Sequence, residues 1–64
     1  MSVQITVGDR VELAADVHAL GVTHRRGARG IVREVHTGGH LTLRMSDGRV
    51  QFPHRDEVTV IDAP

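Results

Sequence analysis

Apolar side chains recur at every second position in short runs: Val3, Ile5 and Val7; Val11 and Leu13; Leu41, Leu43 and Met45; Val50 and Phe52; Val58 and Val60. A period of two belongs to strands with one buried face, and no stretch sustains the i, i+3, i+4 spacing of an amphipathic helix. Between the runs lie Gly8-Asp9, Arg26-Gly27-Ala28-Arg29-Gly30, Thr37-Gly38-Gly39, Asp47-Gly48 and Pro53-His54-Arg55-Asp56, all turn-forming or strand-breaking segments. The pattern predicts one small all-β domain over residues 1–64.

Two hairpins can be given a register. Asp-Gly favours a two-residue type I′ turn. At Asp47-Gly48 such a turn sets Met45 opposite Val50, Leu43 opposite Phe52 and Arg44 opposite Gln51, which predicts Phe52 inside and Gln51 outside. A three-residue Thr37-Gly38-Gly39 loop sets His36 opposite His40 and Val35 opposite Leu41. Arg33 would then fall on the core face. A bulge at Arg33-Glu34, with both residues against Thr42, repairs this and brings Val32 to Leu43 and Gly30 to Met45. Gly30, lacking a side chain, marks a place of close strand approach.

Ala14–Arg26 shows no alternation and is read as a long loop, folded back through Val17, Leu20 and Val22 and carrying His18 and His24. Pro53-His54-Arg55-Asp56-Glu57 before Val58 predicts a single 3₁₀ turn. Met1–Val7 alternates regularly enough to predict an N-terminal strand over Val3–Val7, whose edge offers a route to self-association.

Composition narrows the chemistry. Sixty-four residues bury only about 60% of the surface the unfolded chain exposes, so the core supplies a few kcal/mol net at most. With no Cys, disulfides and thiolate zinc sites are excluded. No apolar run approaches the ~18 residues of a bilayer span, and the N-terminus lacks signal-peptide features, so the expected setting is cytoplasmic, with no membrane partner. Eight Arg balance eight Asp plus Glu, and there is no Lys. Phe52, the single aromatic residue and placed inside by the register, excludes a polyproline groove, a methyl-lysine cage and base stacking.

Gly8-Asp9-Arg10-Val11-Glu12-Leu13, a long loop, then Arg26-Gly27-Ala28-Arg29-Gly30-Ile31-Val32-Arg33-Glu34-Val35 resembles the G-D-x-V … basic-G-x-x-G-x-V pattern of SH3-like barrels, KOW-type modules among them. The Leu41–Gly48 hairpin and the Phe-Pro-x-x-x-x-Val-x-Val ending also resemble that class, and the chain is similar to short actinobacterial proteins of this kind. The resemblance implies an SH3-like barrel of about five strands, with a long loop after the first main strand and a 3₁₀ turn before the last. It also implies that the loop and basic flank at Arg25, Arg26, Arg29 and Arg33 meet RNA or a protein.

Charge is unevenly spread, with residues 1–22 at net −2, 23–35 at +3 and 36–64 at −1. The registers add Arg44 and Arg49 to Arg29 on the outer sheet face, with Arg33 nearby at the bulge and Ile31 among them. The expected function is a non-catalytic binding module that docks Arg25, Arg26, Arg29, Arg33, Arg44 and Arg49 on an anionic partner, either nucleic acid or an acidic protein surface. The alternative is an accessory barrel forming homo- or hetero-oligomers through strand edges. His36 opposite His40 is two ligands where a zinc site wants three or four, and His54 has the wrong parity to join them, so no metal is expected. Neither a Ser/His/acid set nor a carboxylate pair can be argued from spacing, a pocket of about 300 Å³ is not expected, and Gly27-x-x-Gly30 is too short for a phosphate loop. No enzyme activity and no cofactor are expected.

Overall fold

The structure is a computed structural model that describes residues 4–62. Its elements are β1 (Arg10–Leu13), β2 (Val17–Ala19), β3 (Val22–His24), β4 (Arg29–Val35), β5 (Leu41–Met45), β6 (Val50–Gln51), a 3₁₀ turn (Arg55–Glu57) and β7 (Val58–Asp62). Five strands form an antiparallel sheet in the order β6-β5-β4-β1-β7, and β2 pairs with β3 in a separate hairpin.

The sheet is open: β6 and β7 are its two edges and do not pair with each other, which corrects the expectation of a closed barrel. β6 is too short to add a ladder to β7. That strand is two residues long, and its inward side chain, Gln51, reaches the hairpin by donating to the Val22 carbonyl at 3.0 Å.

The sheet's inner face and the hairpin enclose Val11, Leu13, Val17, Val32, Leu41, Leu43, Met45 and Val58, with Ile5, Ala28 and Val60 packed against them. The bulge predicted in β4 is present, with Val32 opposite Leu43, Glu34 opposite Thr42 and Arg33 between them. It lets Gly30 and Val32 face inward while Arg33 stays in solvent. Gly30 lies against Val11 on one side and Met45 on the other.

Three expectations are corrected. The turn after β5 has three residues, not two: Met45 N–H donates to the Arg49 carbonyl at 2.7 Å and Gly48 N–H to the Met45 carbonyl at 2.9 Å. Gly48 takes a left-handed φ of 86°, the third-position glycine of a type I turn with a bulge, and the Asp47 carboxylate accepts from Arg49 N–H at 2.9 Å. Leu43 therefore faces Gln51, and Arg44 faces Val50. One residue of offset exchanges the faces. Gln51 is fully buried and Phe52 is 47% exposed.

Ala14–Arg26 is not a long loop but contains the β2–β3 hairpin, closed by Leu20 at φ 55° and Gly21 at φ 76°. Two successive positive φ values are those of a type I′ turn. Val17 and His24 face each other and are buried, while His18 Nδ1 and Thr23 Oγ1 meet outside at 2.7 Å. Leu20 protrudes at the tip.

Within the expected Val3–Val7 strand, Val3 lies outside the described residues and Gln4–Val7 form no strand. The backbone turns instead at Val7-Gly8. Buried Asp9 accepts from Thr6 N–H at 2.9 Å, and Gly8 N–H donates to the Val32 carbonyl at 2.9 Å. At the other end the 3₁₀ turn forms where predicted. His54 N–H donates to the Glu57 carboxylate at 2.8 Å, and the His54 Nδ1 accepts from Asp56 N–H at 3.2 Å, a capping box around one turn.

Candidate docking face

Pairing across β7, β1, β4, β5 and β6 fixes which side chains share the outer face. Ile31 of β4 stands between Arg10 of β1 and Arg44 of β5, each its direct cross-strand neighbour, and Arg44 in turn faces Val50 of β6. Neighbouring strands are about 4.8 Å apart, so Arg10 and Arg44 flank Ile31 at about 10 Å from each other across the backbone. Arg29, two residues before Ile31, points the same way and lies opposite Glu12. The arrangement is a triangle of guanidinium groups around one aliphatic side chain.

This triangle borders an open groove of about 420 Å³, lined by Arg10, Arg29, Ile31, Arg44 and Ile61 among others. The groove is larger than the sequence led one to expect. Arg29 Nε lies 3.4 Å from the Glu12 carboxylate, a solvent-exposed pair, whereas Arg10 and Arg44 form no ion pair among the described residues. Arg10 has Asp62 as its cross-strand neighbour on β7, and Arg44, opposite Val50, keeps its donors available to an anion.

Of the six arginines expected to bind, Arg29 and Arg44 come together. Arg25 and Arg26 lie at the base of the hairpin, where Arg26 N–H donates to the Asp16 carboxylate at 2.7 Å, and neither borders the groove. Arg33 is on the bulge. Arg49 sits in the β5–β6 turn, its Nε 4.0 Å from Asp47. Arg10 was missed: residues 1–22 are net acidic, and only the pairing of β1 with β4 brings it beside Ile31. Gln51 leaves the outer face, as the register requires.

The histidines have other duties. His24, expected in a loop, is buried and joins three elements. The Val22 carbonyl demands an N–H, which orients the Gln51 amide so that its nitrogen also donates to His24 Nδ1 at 2.6 Å; His24 Nε2–H then donates to the Asp47 carboxylate at 2.9 Å. This chain clamps the hairpin to the β5–β6 turn. Gln51 Oε1 is left buried without a partner.

His54, expected off parity, instead bridges His40, and their rings meet edge to face at 5.2 Å. His36 Nε2 is 2.7 Å from Thr42 Oγ1, and His54 Nε2 is 3.0 Å from the Gly38 carbonyl. Among the described residues no three His, Asp or Glu side chains gather as a metal site would need.

The clamp has a pH signature. The Asp47 carboxyl is held below the ordinary range for aspartate, first by the Arg49 backbone N–H and then by the His24 hydrogen bond. A carboxyl whose pKa is depressed by folding stabilises the fold above its unfolded value, near 3.9, and that contribution vanishes as pH falls through the lower folded value. The melting-temperature advantage of the native protein over Asp47→Asn should therefore shrink as pH falls below about 4. A difference unchanged down to pH 2 in thermal melts would contradict the assignment.

Compared with protein-family models, curated proteins and solved structures, the chain matches none.

Proposed function

We propose that the protein is a non-catalytic binding module of SH3-like architecture whose outer sheet face docks on an anionic macromolecule. Three features support the architecture: the strand order β6-β5-β4-β1-β7, the hairpin inserted after β1, and the 3₁₀ turn before β7. They accompany the Gly8-Asp9-Arg10-Val11 and Gly27-x-x-Gly30-x-Val32 signatures of the resemblance.

The observation that carries the function is the triangle Arg10, Arg29 and Arg44 around Ile31, bordering an open groove. Arginine presents a planar fork that engages phosphate or carboxylate oxygens two at a time, and the intervening aliphatic surface is covered when the partner lies flat. Cationic side chains on rigid strands bind with less loss of conformational freedom than the same groups on a loop. The reading therefore moves the docking surface from the loop at Arg25 and Arg26 to the sheet.

Fluorescence anisotropy with a labelled twelve-residue polyanion at low salt tests it. Arg10→Glu/Arg44→Glu should weaken binding at least about tenfold, the equivalent of 1.4 kcal/mol, while Arg25→Glu/Arg26→Glu changes it by less than about threefold. The reading fails if no polyanion binds at low salt, or if reversal at the hairpin base is the more damaging.

A further inference from the structure

The geometry points to single-stranded nucleic acid as the polyanion, with Phe52 as the platform on which one base stacks. This inference rests on the docking face just proposed and names its ligand. It follows from the one-residue offset in β6. Gln51 faces Leu43 in the core and the Leu41 N–H donates to the Pro53 carbonyl at 2.9 Å, so the ladder continues past Gln51 and residue 52 points outward beside Thr42. Phe52 is 47% exposed, and buried Pro53 and Gln51 on either side hold its backbone fast.

On that face Arg44 is opposite Val50, which makes Phe52 the diagonal neighbour of Arg44. Diagonal neighbours on a sheet are about 7–8 Å apart, within reach of an aromatic and a long side chain. A guanidinium that takes a phosphate and a ring that takes a base thus sit side by side, and a nucleotide carries both groups. An acidic peptide would answer the guanidinium but offers nothing flat to the ring. Arg10 and Arg29 border the same groove and extend the phosphate track, with Ile31 between Arg10 and Arg44 and Ile61 on β7 beyond Arg10 as apolar surface. Stacking on a single ring tolerates any base, because every base has a π-face. Glu12, which already faces Arg29, and Glu34 on β4 keep the surface from being uniformly positive, so the binding is weak at physiological salt and steepens as salt falls.

Anisotropy titrations at low salt with three labelled probes test the assignment: dT12, an abasic dodecamer with the same phosphates and no bases, and a polyglutamate dodecapeptide. The native protein should bind dT12 about five- to tenfold more tightly than the abasic strand. Phe52→Leu keeps an apolar side chain at a half-exposed position. It should erase that difference and leave the abasic affinity unchanged. Arg44→Gln should weaken both strands.

Equal affinity for dT12 and the abasic strand overturns the stacking assignment while leaving the anionic face intact. So does a base-dependent gain that survives in Phe52→Leu. Polyglutamate bound more tightly than dT12 overturns nucleic acid in favour of an acidic protein. If none of the three probes binds at low salt, the docking face itself is refuted.

Discussion

Gly30→Ala should destabilise the domain by about 1–3 kcal/mol, and Gly30→Val should leave it unfolded at room temperature. A Cβ at residue 30 would stand 2.9 Å from the Arg44 carbonyl oxygen, 3.0 Å from Met45 Sδ and 3.3 Å from Met45 Cα. The thioether can swing aside, but the carbonyl and Cα belong to β5, so relief requires β4 and β5 to separate. Intrinsic preference acts in the opposite direction, since glycine inside a strand is less favourable than a residue with a side chain. The steric term wins because it falls on backbone at the longest ladder of the sheet. A chain of 64 residues holds only a few kcal/mol in reserve. Urea or thermal denaturation followed by circular dichroism reads the effect. A melting temperature equal to that of the native protein would mean that β4 and β5 do not approach as described.

His24→Ala should cost about 1–3 kcal/mol globally, with a distinctive local consequence. Truncation strands one Gln51 amide hydrogen in the core and takes the imidazole from Asp47. The Gln51 carbonyl oxygen already lacks a partner, so the site would then hold two unsatisfied polar groups on one buried residue. The hairpin is attached to the sheet chiefly through this chain and through Val17, and so β2 and β3 should open first. Amide exchange at Val17–His24 should accelerate while Leu41–Met45 remains protected. Uniform acceleration across both would show that the clamp is part of the global core and not a local fastening.

These residues also explain which parts of the fold the sequence made legible. The β4–β5 hairpin could be read with its bulge because a local conflict, Arg33 on the core face, has one simple remedy. The β5–β6 turn could not, because Asp47-Gly48 suits two turn lengths equally well. What decides between them is His24, 27 residues from Gln51, which supplies the partner that lets an amide be buried where Phe52 was expected. The β2–β3 hairpin stayed hidden for a similar reason. Its strands are three residues long, its turn is Leu20-Gly21 in place of the usual Asn-Gly, and one of its inward side chains is a histidine. A usable signal was there: Val17 and Ala19 alternate with His18, and Val22 and His24 with Thr23.

The candidate face was half legible. Arg29 and Arg44 follow from the β4–β5 register, which was right. Arg10 required the pairing of β1 with β4, a contact between segments of opposite net charge that charge counting by segment works against. Phe52 required the correct register of a strand only two residues long.

The most direct test of the central claim, that the sheet face and not the hairpin base receives the anionic partner, is a titration of the isotopically labelled protein with dT12, followed amide by amide by nuclear magnetic resonance. Shift changes should cluster at Arg10, Arg29, Ile31, Arg44 and Phe52. Changes centred on Arg25 and Arg26, or scattered without a cluster at saturating oligonucleotide, would contradict it.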